Sequence, residues 1–182
     1  MARAKARDAL LEFRAVRAAY AELPLEQRQG RLRAGKLQSE MLEALQRRDL
    51  DRALERAQTL LALCYVDIDA HVVASIVYRQ HGDLDRANDH QWIANGLARS
   101  ILDSGDGKSP ETAFEVISVD EEYALFRVLG LRPTGQALMS QAGHSYDVMR
   151  MLNPRTQEAF TWHFNVDASL REIGEALRPG AK

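Results

Sequence analysis

Between residues 2 and 22 apolar side chains recur at three- and four-residue steps, with Leu10, Phe13, Val16 (or Arg17) and Tyr20 on one stripe and alanines filling the gaps. That spacing predicts a helix, and Pro24 ends it. Residues 25–47 carry a second helical pattern, loosened near Gly30 and Gly35, with Leu37, Met41, Leu42 and Leu45 on one face. Past residue 112 the period changes from helical to alternating. Ala113–Val119 reads as a strand, and Asp120–Leu129 as a helix with acids in its first turn and Gly130 as its stop. Residues 131–139 predict a further strand, and 145–152 with 158–166 a β-hairpin around Asn153–Gln157. In its second strand Phe160, Trp162, Phe164 and Val166 share one face, and Thr161, His163 and Asn165 the other. Asp167 is placed to cap a final helix over 168–177, ended by Pro179-Gly180.

Asp49-Leu50-Asp51-Arg52-Ala53 recurs as Asp83-Leu84-Asp85-Arg86-Ala87, 34 residues further on. This is the length of a tetratricopeptide repeat (TPR), a pair of antiparallel helices. Tyr78, Gly82, Ala87 and Ala94 resemble that repeat's aromatic, turn glycine and small packing positions. A glycine lets the chain reverse, an alanine at 53 or 87 lets two helices press closely, and the aspartate caps the second helix of each pair. Arg48 stands where the turn glycine belongs in the first unit, and Ala44 where the tyrosine does. Two TPR-like units are therefore expected over 36–67 and 68–101, with the N-terminal helix as a cap. Residues 103–112, dense in turn formers, form a linker or ordered loop. The expected fold is α+β and mostly helical, a TPR-like region over 1–102 followed by a small α+β region over 103–182 with an antiparallel sheet, a hairpin and two short helices.

A net charge of −2 supplies no field to draw the chain to nucleic acid or an anionic membrane. The charge is unevenly spread: residues 1–36 hold nine basic groups against four acids, and 103–122 seven acids against Lys108. Such runs are solvated faces, or else a basic end docks an acidic partner or this chain's own acidic segment. Cys64, the single cysteine, sits in an apolar run as a small hydrophobe, which excludes an intrachain disulfide and a thiolate metal cluster. The chain shows no signal-peptide core and no run near the roughly 18 apolar residues of a membrane span, so a cytoplasmic protein is expected.

Gly107-Lys108-Ser109 falls short of a phosphate loop, since Leu102 stands where its first glycine belongs and a helix rather than a strand precedes it. Asp103 and Asp106 begin a calcium-loop spacing that no glutamate completes. Gly143-His144-Ser145-Tyr146-Asp147 is the candidate catalytic cluster, with His144 as acid/base, Tyr146 and Asp147 beside it, and Glu121 or Glu122 opposite. On a strand His144 and Tyr146 share one face while Ser145 and Asp147 share the other, so a turn that bonds its own backbone explains the cluster equally. His71, His81, His90 and His163 form no helix-borne metal pattern, and no metal or cofactor is expected. The repeat register puts Val72, Ile76 and Arg79, with His71, on the first helix of the second pair, a groove suited to a peptide.

From Ser104 through Phe114, then in Val116-Ile117, Glu121-Glu122-Tyr123, Gly143–Asp147 and Phe164-Asn165-Val166, the back half resembles a bacterial family classed as a domain of unknown function. The likeness runs from about residue 40 onward. It implies helices plus a small sheet and assigns no activity to any residue. With no complete catalytic motif, the reading leans away from an enzyme, toward an adaptor that binds a protein or peptide partner. The alternative is a small hydrolase-like or ligand-binding enzyme around His144. Self-association, one chain's groove taking another's end, is a third outcome.

Overall fold

The computed structural model describes residues 12–23 and 34–176. The 2–11 part of the helix expected over 2–22, Pro24, Gly30 and Pro179-Gly180 lie outside them. Contacts divide the chain into two compact units, Met1–Leu97 and Ala98–Lys182, and the division falls inside a helix.

The first unit is helical. Helices α1 (Phe13–Ala21), α2 (Ala34–Gln46), α3 (Leu50–Leu63) and α4 (Ile68–Gln80) precede α5 (Leu84–Leu102), whose last turn belongs to the second unit. Gly35 lies inside α2 and does not interrupt it. Met41, Ala44, Ala53, Ala57, Leu60, Val73, Ala74, Val77 and Ala87 form one core drawn from α2, α3, α4 and α5. Ala53 and Ala87 are each fully buried, and a β-carbon alone lets neighbouring helices approach closely. The Phe13 and Trp92 rings meet edge to face with centroids 5.1 Å apart, and the Phe13 ring fills the space that a side chain at Gly96 would need.

The turns α2–α3 and α4–α5 share their capping hydrogen bonds at the 34-residue offset. Asp49 N bonds Ala44 O at 2.9 Å, and Asp83 N bonds Tyr78 O at 2.9 Å. Arg48 N bonds Leu45 O at 3.0 Å, and Gly82 N bonds Arg79 O at 3.2 Å. These two bonds satisfy the last carbonyls of a helix through a residue in the left-handed region. Gly82 adopts it at φ 81°, and Arg48 adopts it at φ 61° despite its side chain. Each following aspartate then caps the next helix, Asp49 accepting from Arg52 N at 3.3 Å and Asp83 from Arg86 N at 2.9 Å.

The second unit continues through an ordered loop rather than a linker. Asp106 ties it together, its carboxylate accepting from Thr112 Oγ1 at 2.6 Å and from Lys108 N at 3.1 Å. Gly107, at φ 67°, lies under the Phe114 ring, and its carbonyl accepts from His163 N at 2.8 Å. A 3-10 turn, Pro110–Thr112, leads into β1 (Phe114–Glu115), α6 (Val119–Leu129), β2 (Arg132–Gln141), β3 (His144–Leu152), β4 (Ala159–Asn165) and α7 (Asp167–Ala176).

The strand order is β1-β4-β3-β2. Strands β2, β3 and β4 run antiparallel, but β1 joins β4 in parallel, so the expected antiparallel sheet is a mixed one. The expected strand over 113–119 shrinks to two residues because Ser118 already caps α6, accepting from Glu121 N at 3.4 Å. Phe164, fully buried, meets Phe126 of α6 at 5.6 Å and Phe114 of β1 at 5.4 Å. Alternation thus puts the aromatic face of β4 inward, under α6. Among the described residues no helix is long and apolar enough to cross a membrane.

Candidate functional site

In the first unit the predicted surface residues separate. Val72 is half-buried, Ile76 is 36% exposed and Arg79 is exposed, so these three form a stripe along α4. His71 does not join them. It is fully buried, because its position falls on the face of α4 that meets α5.

There His71 Nε2 lies 2.9 Å from Tyr65 O, and His71 Nδ1 lies 2.9 Å from His90 Nδ1. A carbonyl only accepts, so Nε2 carries the proton and donates. Nδ1 must then accept from His90 Nδ1–H, which leaves the lone pair of His90 on Nε2. Burial holds the His71 pKa down to about 4, the bond to Tyr65 O opposing this and His90 adding to it. Burial also lowers that of His90, with Asp89 opposing and Arg86 adding to the effect. Both rings are therefore neutral at physiological pH. The His90 ring stacks on Tyr78 at 5.5 Å, and the Arg86 guanidinium lies over Tyr78, 4.3 Å from its centroid. Beside them opens a groove of about 710 Å³ lined by Leu54, Gln58, Tyr78, His81, Leu84 and Arg86 among others. Sequence reading puts His71 on the groove helix and does not pair it with His90. They lie 19 positions apart, and only the antiparallel crossing of two helices brings them together.

In the second unit strand parity divides the predicted cluster. His144 and Tyr146 share a face, their rings 6.4 Å apart, and Asp147 lies on the opposite, aromatic face. The carboxylate that orients His144 is Asp167: His144 Nδ1 bonds Asp167 Oδ2 at 2.6 Å, and Ser145 N donates to Asp167 Oδ1 at 2.8 Å. Burial raises the Asp167 pKa, but the bonds from His144 and Ser145 N outweigh it, so the pKa ends below the ordinary value. Asp167 was expected only as a helix cap, and instead it is the first residue of α7 and spends its side chain on β3. The register of β3 against β4, which pairs Tyr146 with Asn165, carries the chain just past β4 back to His144.

Asp147 builds a different arrangement. It is 4% exposed and accepts from Gln136 Nε2 at 2.7 Å, while Gln136 Oε1 accepts from Tyr123 OH at 3.2 Å. Burial raises the Asp147 pKa, and the Gln136 bond offsets part of that. Glu122, in the first turns of α6, is fully buried, and neither carboxyl oxygen has a hydrogen-bond partner. Its pKa is pushed up to about 9, first by burial, then by the charges of Asp147 and Glu121. A carboxyl group in that setting is a neutral acid at pH 7. Glu121 turns away, its Oε2 accepting from Ile117 N at 2.9 Å. Of the two glutamates expected opposite the cluster, Glu122 faces Asp147 rather than His144. Among the described residues no group of three or more His, Cys, Asp or Glu side chains is placed to hold a metal ion.

No curated protein and no solved structure matches the chain significantly. A family model described as a domain of unknown function, DUF4919, matches residues 1–175, which extends the likeness well upstream of residue 40. Covering nearly the whole chain, both the paired helices and the mixed sheet, that match establishes that the protein belongs to the DUF4919 family.

Proposed function

We propose that this protein is a bacterial, cytoplasmic adaptor whose TPR-like helix pairs hold a peptide segment of a protein partner. The observation that carries the reading is the repetition of one turn geometry at Arg48-Asp49 and Gly82-Asp83, which supports two helix pairs stacked in register. Stacked pairs leave one helix of each pair facing solvent along a shared surface. On α4 that surface offers Val72 and Ile76 followed by the cation of Arg79, so the segment it suits is apolar with an acidic residue at one end. The span from 72 to 79 is about 10 Å at 1.5 Å per helical residue, enough for three or four extended peptide residues. The test is co-purification with the wild type and with an Ile76→Glu, Arg79→Glu double variant. A partner retained by the folded wild type and lost by the equally folded variant is the expected result. If every retained protein binds both forms alike, the stripe is not the binding surface.

A second reading, a small hydrolase-like enzyme, is favoured by the 2.6 Å contact of His144 with Asp167. A carboxylate holding Nδ1 leaves Nε2 to act as general base, the division of labour found in hydrolytic triads. Screening ester and phosphoester substrates tests it. Turnover abolished in both His144→Ala and Asp167→Asn would support it, and turnover indifferent to both would remove it.

A further inference from the structure

Strand β2 is an edge of its sheet, paired with β3 on one side and, among the described residues, with no strand on the other. An edge strand presents a row of unpaired N–H and C=O groups, and proteins guard such rows with charges, prolines or bulges. Among the strand's own residues the guards stand at one end only, while at the other Gln141 donates to Glu111 of the 3-10 turn at 2.8 Å. Arg132 and Pro133 precede a register shift between Pro133 and Gly135. From Thr134 to Gln141 the strand has no charged residue, and at its middle Leu138 is 62% exposed, more than any other large hydrophobic among the described residues.

We propose that β2 is the self-association surface of this protein, pairing antiparallel with β2 of a second copy to join the two four-stranded sheets across a two-fold axis. The occupant follows from the charge pattern. A strand laid against its own copy brings like residues near one another, and charges of one sign would repel there. A strand without charges escapes that penalty and offers an unlike charged partner nothing to read.

Geometry narrows the register as well. Opposed residues of an antiparallel pair point to the same face, so with the axis normal to the sheet their numbers must sum to an even value. The register that covers the exposed leucine sets Leu138 against its own copy, Ala137 against Met139, Gln136 against Ser140 and Gly135 against Gln141. Pro133 and Arg132 then lie opposite Gly143 and His144, beyond the reversal at Ala142-Gly143, so neither guard enters the paired stretch. The pairing is isologous, the symmetry of most homodimers.

Sedimentation velocity of the full chain from low to high micromolar concentration tests this, with Leu138→Lys as the disrupting variant. The expected result is a concentration-dependent dimer in the wild type and a monomer throughout in Leu138→Lys, with the helical circular dichroism unchanged. Two cysteine variants check the register. Leu138→Cys should cross-link on mild oxidation, since facing Cα atoms about 4.5–5.5 Å apart suit a disulfide. Gln136→Cys should not, because it faces Ser140. A wild type monomeric at the highest concentration overturns the proposal, as does a dimer that survives Leu138→Lys. If Gln136→Cys links as readily as Leu138→Cys, or Leu138→Cys does not link at all, the register is overturned.

Discussion

Arg48 holds a left-handed backbone that its equivalent, Gly82, adopts without a side chain to place. A non-glycine residue there costs roughly 1–2 kcal/mol, and the surrounding bonds enforce it. Arg48→Gly is therefore expected to stabilise the protein by about 0.5–1 kcal/mol, the extra freedom of glycine in the unfolded chain offsetting part of the relief. Urea denaturation would measure it, and the reverse change Gly82→Ala should destabilise by a similar amount. Glu122 is the costlier residue. Its pKa of about 9, against 4.5 in a free side chain, means the folded state holds a proton that the unfolded state releases. Folded-state stability must then fall as pH rises from about 4.5 to about 9 and level off above. At pH 7 the deficit is on the order of 3 kcal/mol. Glu122→Gln carries no charge in either state, so it should flatten that slope and raise the melting temperature at pH 7–8.

At the scale of elements, the caps and the histidine pair decide how the helices of the first unit hold. Asp49 and Asp83 each satisfy an otherwise unbonded amide, so Asp49→Ala and Asp83→Ala should each cost about 1 kcal/mol by equilibrium unfolding. Asp83 also pairs with Arg86, but that pair is exposed and adds little. His71 and His90 bind α4 to α5 through their Nδ1 atoms, and a proton on Nδ1 of His71 puts a charge on a fully buried ring and takes away the acceptor His90 uses. The unfolded state takes up that proton near pH 6.5, the folded state only near 4. This contribution is complete above about pH 6.5 and is lost as pH falls toward 4. The same elements show what sequence made legible. The Asp-Leu-Asp-Arg-Ala repeat marked both caps and the two fully buried alanines, and alternation in β4 marked its inner face. The parallel join of β1 was not legible, since two residues carry no periodicity.

For the molecule as a whole the two units are expected to answer pH in opposite senses. Acid weakens the first through His71, and alkali weakens the second through Glu122. Hydrogen exchange read by mass spectrometry would follow each separately. Amides of α4 and α5 up to Leu97 should lose protection first between pH 6 and 4, after correction for intrinsic rates. Amides of α6 and β3 should lose it first as pH rises from about 5 to about 9. Loss of both units together at one extreme would contradict these assignments. Family membership adds no activity to either unit, so the stripe on α4 and the His144–Asp167 pair must be tested on this protein's own chemistry.

By itself the sequence determined what depends on neighbours along the chain. These are the helices with their caps, the 34-residue repeat, the alternation that turns Phe160, Trp162 and Phe164 inward, and the separation of His144 from Asp147 on opposite faces. Tertiary structure decided what depends on residues far apart in number. It buried His71 and paired it with His90, gave Asp167 to His144, and buried Glu122 of α6 so that its carboxyl stays protonated. Periodicity reports which side of an element faces inward. Only the packing of one element on another reports what waits there, and hydrogen bonds and pKa values are set by those distant neighbours.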